Sequence, residues 1–179
     1  MRADAAANRA RILAVAASAF SADGLDVSLD EVARRAGVGP GTIYRHFPTK
    51  TALVDAAIAD GVSALARTAT ELAASARPVE AFYTLVSELI TRGAQSHALA
   101  ERLGRSGIDI GPVIAKPLRQ LRAALARLFH RAQRVGGIRR EVTIRDLDAL
   151  LAGAHTLHTH AKGGPHLVAL LFESLRLHT

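Results

Sequence analysis

The chain has 179 residues, 49% hydrophobic and 22% charged, a globular composition for one domain or for a small module joined to a larger one. It has no cysteine, which excludes disulfides and thiolate metal sites, and no uninterrupted apolar run reaches membrane-spanning length. A net charge of +7 favours an anionic partner, yet residues 1–50 hold seven Lys/Arg against five Asp/Glu while residues 102–145 hold eleven against two, so charge alone does not locate a nucleic-acid face.

Periodicity is helical along nearly the whole chain. A first helix near 6–22 puts Ile12, Ala16, Ala19 and Phe20 on one stripe. Arg9 and Arg11 interrupt its apolar run and Asp23-Gly24 close it, which reads as a helix rather than a signal sequence and predicts a soluble, cytoplasmic protein with no membrane partner. A short helix at 29–35 opens with a capping box, Ser28-Leu29-Asp30-Glu31, in which Ser28 accepts from the third amide and Glu31 reaches back. Gly37 ends it, and another short helix follows at 40–46. Pro48 stops that one, and Thr49 caps a helix at 50–75 with Leu53, Ala57 and Leu65 facing inward.

Beyond Pro78 the helices lengthen. Val79, Phe82, Tyr83, Val86, Ile90 and Gly93 mark one face of a helix at 79–103, and the Gly-rich stretch 104–113 is a break. Over 114–135, Leu118, Leu121, Leu125, Leu128, Ala132 and Val135 line one side, with Arg127, Arg131 and Arg134 on the other. A turn at "GGIRREV", a helix at 144–161, Gly163-Gly164-Pro165 and a last helix to about 177 complete the chain. The expected fold is all-α: a small N-terminal helical unit over 1–50 joined to a larger helical body over 51–179.

Two short helices around a glycine turn match the helix-turn-helix pattern, whose second helix enters the major groove. In "GVGPGTIYRHFPTK", Val38, Ile43 and Phe47 face inward, while Thr42, Tyr44, Arg45 and His46 present donors outward. Gly39 and Gly41 allow close approach of the backbone to DNA. Lys50 stands in the first turn of the next helix, where a cation is mildly unfavourable unless a phosphate sits there. Taken alone, a solvated lysine and a phosphate contact are equally good readings of it.

The segment "ILAVAASAFSADGLDVSLDEVARRAGVGPGTIYRHFPTKTALVDA" resembles the DNA-binding domain of the TetR family of transcriptional repressors over about residues 9–57. The most specific parts are "S…EVARRAGV" and "G-T-I-Y-R-H-F-x-x-K-x-x-L". The resemblance implies a cytoplasmic homodimer that binds a palindromic double-stranded DNA operator and is released by a small-molecule effector. By motif position it implies phosphate contacts from Ser28, Thr42, Tyr44, His46 and Lys50. Pro40, Gly41, Thr42 and Arg45 would face base edges, with Arg45 the candidate reader of guanine. The alternative is a helical protein-interaction module that keeps the helix-turn-helix only as a fold.

In the C-terminal part, the rare polar or ring residues on apolar faces are Tyr83, His97, Phe129, His155 and His158, which places an effector pocket between the 79–103, 114–135 and 144–161 helices. His155 and His158 are three apart, but no third ligand stands at local spacing, so no metal or cofactor is expected, and backbone-bonded histidines remain the commoner reading. The late arginines read as a solvated helix face, with attraction of an acidic effector as the alternative. No P-loop, GxSxG or HExxH motif is present, and no enzyme is expected. The last helix is apolar nearly all round, so Leu167, Leu170, Leu171 and Leu175 are candidates for a two-fold interface.

Overall fold

The computed structural model describes the backbone of residues 2–105, 109–160 and 164–176; the side chains of 2, 3, 94–103, 105, 159, 160, 164 and 165 lie outside that description. The described residues contain eight helices and no strand: α1 (Arg2–Asp23), α2 (Leu29–Ala36), α3 (Pro40–His46), α4 (Lys50–Ala73), α5 (Pro78–Arg105), α6 (Gly111–Arg134), α7 (Ile144–His160) and α8 (Gly164–Glu173). They form two compact units, residues 1–62 with 95–115 and residues 63–94 with 116–179. The division between these units falls inside α4, α5 and α6. None of the described helices is long and apolar enough to cross a membrane.

In the first unit α1 packs on α2 and α2 on α3. Ile12, Leu13, Ala16, Ala19 and Phe20 recur at helical spacing on α1 and are buried against the small α2 face of Val32, Ala33 and Ala36. Ile43 and Phe47 close this core from α3 and its end, and Leu53, Val54, Ala57 and Ile58 of α4 are also buried.

The core of the second unit runs from Leu65, Ala66 and Ala69 of α4 through α5, α6 and α7 to Val168, Phe172 and Leu175. Phe82 and Phe129 meet at its centre, ring centroids 6.0 Å apart and both fully buried. The turn after α6 carries Ile138 into this core. It approaches α5 so closely that a Cβ on Gly137 would stand 2.2 Å from a Val79 methyl, which leaves glycine as the residue that fits. The Gln133 amide donates to the carbonyls of Arg139 and Val142 at 2.9 and 3.0 Å and holds the turn in shape.

Four expectations need correction. The break at 104–113 is narrower than its glycines suggest. Gly104 is helical, and Asp109 accepts from the Gly111 amide at 2.8 Å to start α6 three residues early, with Pro112 in the first turn. Val135 is not inward: α6 ends at Arg134, and Val135 is 63% exposed in the turn. Arg131 leaves the solvated face, donating to the Ala73 carbonyl and, at 2.7 Å, to that of Ser75, so that it binds the carbonyls at the C-terminal end of α4. Finally, α8 stops at Glu173 and the chain turns. The Leu175 carbonyl accepts from the Arg139 amide at 3.1 Å, and this turn carries the Leu175 side chain into the core.

Candidate nucleic-acid interface

The geometry of α3 is set by what precedes it. Ser28 has extended backbone and its Oγ accepts from the Glu31 amide at 3.1 Å, opening α2 as an N-cap. The reciprocal half of the expected capping box is absent. The Glu31 carboxylate instead takes Arg34 at 2.7 and 2.8 Å and Arg35 at 2.6 Å, because two guanidiniums one turn on outcompete a neutral amide. These bonds pull the Glu31 carboxyl from its usual 4.5 down to about 2. Arg35 also reaches Asp23 at the end of α1, tying α2 to α1.

At the other end of α2, Gly37 adopts φ 64°, ψ 36°, a left-handed conformation that a side chain disfavours. Its amide donates to the Arg34 carbonyl at 3.2 Å and the Val38 amide to the Ala33 carbonyl at 3.0 Å, the double closure of a Schellman turn. Gly39 then caps α3, and Pro40 fills its first position, where a missing N–H costs nothing.

On this short helix Ile43 is buried, and Phe47 is buried at its cap, while Pro40, Gly41, Tyr44 and Arg45 are exposed and Thr42 and His46 are half-buried. Gly39 and Gly41 differ from Gly37. Neither has a positive φ, and a Cβ at either position would meet nothing within 4 Å. The fold does not demand glycine there. Tyr44 is 45% exposed, and the Asp30 carboxylate of α2 raises its hydroxyl pKa by charge and by accepting its hydrogen bond. Sequence periodicity did not expose this pairing, because it joins two helices.

Thr49 caps α4, its Oγ1 accepting from the Ala52 amide at 3.1 Å, and Lys50 stands half-buried in the first turn. That turn contains no acidic residue, and among the described residues Lys50 has no carboxylate partner. Ser28 is exposed, and its hydroxyl hydrogen remains available while the oxygen caps. The helix, its flanking cap and the lysine together present donors for oxygen acceptors and one guanidinium able to form a bidentate pair.

The second unit holds a cleft of about 340 Å³ between α5, α7 and α8. Val86, Ile90, Val168 and Phe172 form apolar walls, and Tyr83, His158, Glu173 and Arg176 supply polar groups. The Arg176 guanidinium lies 4.5 Å from the centre of the Tyr83 ring, and burial pushes the Tyr83 hydroxyl up. Of the expected pocket residues, Tyr83 and His158 line this cleft. Phe129 is fully buried in the core. His155 turns to α5, where its Nε2 donates to the Leu89 carbonyl at 2.9 Å and lies where a Cβ on Gly93 would come within 3.1 Å. The His97 side chain lies outside the described residues. α6 gives no wall; α8 does, and its contribution was hidden because an all-round apolar helix carries no sign of which face borders a cavity.

On α8, Leu167 and Leu170 are 38% and 50% exposed, and Leu171 is half-buried. Leu175 is 3% exposed and belongs to the core of its own chain. Among the described residues no group of three or more His, Asp or Glu is placed to hold a metal ion.

Residues 12–57 match the profile of bacterial regulatory proteins of the tetR family, and residues 77–177 match that of the C-terminal domain of SbtR-like transcriptional regulators. The chain is 38% identical to a TetR transcription regulatory protein from Mycobacterium vanbaalenii, with 98% of this chain and 99% of that one covered and a TM-score of 0.81. It is 32% identical to the TetR transcriptional regulator SCO0520 from Streptomyces coelicolor, covering 96% and 99%, with a TM-score of 0.80. An HTH-type transcriptional regulator, SAUSA300_2515 of Staphylococcus aureus (strain USA300), is 43% identical over 54 residues, which is 30% of this chain and 29% of the length of that relative.

Proposed function

The chain belongs to the TetR family of bacterial transcriptional regulators and binds DNA, and from this premise we propose that it is a ligand-released repressor acting as a homodimer on a palindromic operator. In this reading residues 1–50 carry recognition and residues 51–179 carry effector binding and dimerisation. The observation that carries it is the two-sided α3: Ile43 and Phe47 are sealed in the core while Pro40, Gly41, Tyr44 and Arg45 stay exposed. An exposed glycine that neither φ nor packing requires lowers helix propensity by about 1 kcal/mol relative to alanine. Close approach of a duplex gives that glycine a purpose.

Arg45 reads a base edge, and Ser28, Thr42, Tyr44, His46 and Lys50 contact phosphates. The effector enters the cleft between α5, α7 and α8, whose apolar walls and few polar groups suit a small, largely hydrophobic or aromatic compound. The dimer uses the exposed α8 face of Leu167 and Leu170 with Leu171 at its edge.

The test is fluorescence anisotropy of the full chain on duplex DNA across a salt series. A log–log salt slope reflecting several neutralised phosphates is expected, because each phosphate contact releases a counterion. Binding that is absent or insensitive to salt contradicts the proposal. In the same assay, His158→Ala and Tyr83→Phe should alter release by an inducing compound and leave DNA affinity intact.

A further inference from the structure

A second concavity, of about 660 Å³, lies between the α4 and α6 segments of the second unit and differs in chemistry from the apolar cleft. Two stripes at helical spacing face each other across it. Ser63, Arg67 and Thr70 come from α4, and Lys116, Gln120 and Arg127 from α6. The small residues Ala66 and Pro117, both buried, and the exposed Ala123 also line it.

The charges in this groove are unbalanced. Three cations line it and one carboxylate, Glu71. Glu71 follows Arg67 by four residues, the weaker order for a helical ion pair, and no bridge forms. Elsewhere Arg34, Arg35, Arg77, Arg92 and Arg139 each hold a carboxylate within 4.0 Å. Among the described residues Arg67, Lys116 and Arg127 have none, and neither do Arg45, Arg119 and Arg122; what sets the groove apart is that its cations share one concavity. Three cations against one carboxylate, with the Ser63 hydroxyl and the Gln120 amide beside them (the Thr70 hydroxyl donates to the Ala66 carbonyl at 2.8 Å), leave a net positive concavity suited to an anion of several oxygens.

We propose that the α4–α6 groove binds a small polyanion bearing carboxylate or phosphate groups, at a site separate from the α5–α7–α8 cleft. The two guanidiniums give planar, bidentate recognition from either helix, and Lys116 adds a point charge. Cations on both helices suit an anion with more than one charged group, one for each stripe.

Isothermal titration calorimetry of the full chain with citrate and with pyrophosphate, at fixed ionic strength, tests this. Saturable binding of one anion per chain is expected, weakened about tenfold or more in the Arg67→Gln/Arg127→Gln variant, as expected on losing two charge-assisted anchors. Binding of citrate alone marks a carboxylate site, and binding of pyrophosphate alone marks a phosphate site. No saturable heat with either anion overturns the proposal, as does unchanged affinity in the variant. Affinity for random-sequence duplex DNA should not move. A loss there as large as that of Lys50→Ala would make the groove a DNA-steering surface instead.

Discussion

Arg45 and Lys50 are five residues apart in sequence, yet their removal should fail in opposite ways. Lys50 stands at a helix start with no carboxylate beside it, so Lys50→Ala should weaken specific and random DNA by a similar factor and flatten the salt slope by about one unit. Loss confined to one sequence would instead make Lys50 a base reader. Arg45 is exposed at the end of α3, and Arg45→Ala should relax preference at one position of each half-site, by about 1–3 kcal/mol if it pairs bidentately with guanine. The glycines separate fold from function in the same way. Gly37→Ala places a side chain at φ 64° and should lower stability by about 1 kcal/mol in a urea melt. Gly41→Ala has open space for its methyl group and should leave the melt unchanged or raise it while weakening DNA binding. An unchanged affinity for Gly41→Ala would remove the close-approach argument.

At the scale of elements, α8 must be divided between two duties. Val168 and Phe172 of α8, with Leu175 in the turn after it, belong to the core of their own chain, whereas Leu167 and Leu170 face away from it. Leu175→Ala should therefore cost about 2–4 kcal/mol of stability through the cavity it leaves. Leu167→Glu/Leu170→Glu should keep its fold by circular dichroism and give a monomer's mass in light scattering. A double variant that keeps the wild-type dimer mass places the interface elsewhere. The helices themselves were readable from periodicity and punctuation: Pro40, Thr49, Pro78 and Ile144 lie within a residue or so of observed starts. Their far ends were less so. The turn after α8 is held by a hydrogen bond from the Arg139 amide, 36 residues earlier, to the Leu175 carbonyl, and no local pattern records such a partner. The same limit hid Arg131 binding the end of α4, since a long cation on a polar face looks solvated until another chain segment ends beneath it.

For the whole molecule, the recognition helix was legible because its requirements are local: a cap, a left-handed glycine, a proline at the first position and two inward aliphatic or aromatic anchors within twenty residues. The cleft was not, because it is assembled from α5, α7 and α8, and its walls are ordinary core residue types. Tyr83 and His158 were found by chemical rarity; Phe129 and His155 were equally rare but serve packing and a backbone hydrogen bond. In the proposed dimer, recognition and operator symmetry are linked, since two copies related by a two-fold axis would present their α3 helices to half-sites spaced by about 34–36 Å or a multiple of it. Selection of bound sequences from a pool of randomised duplexes tests this most directly. The wild-type chain should enrich a palindrome, and Arg45→Ala one degenerate at a single position in each half. Recovery of sequences with no common site, or of a single unrepeated half-site, would contradict this reading.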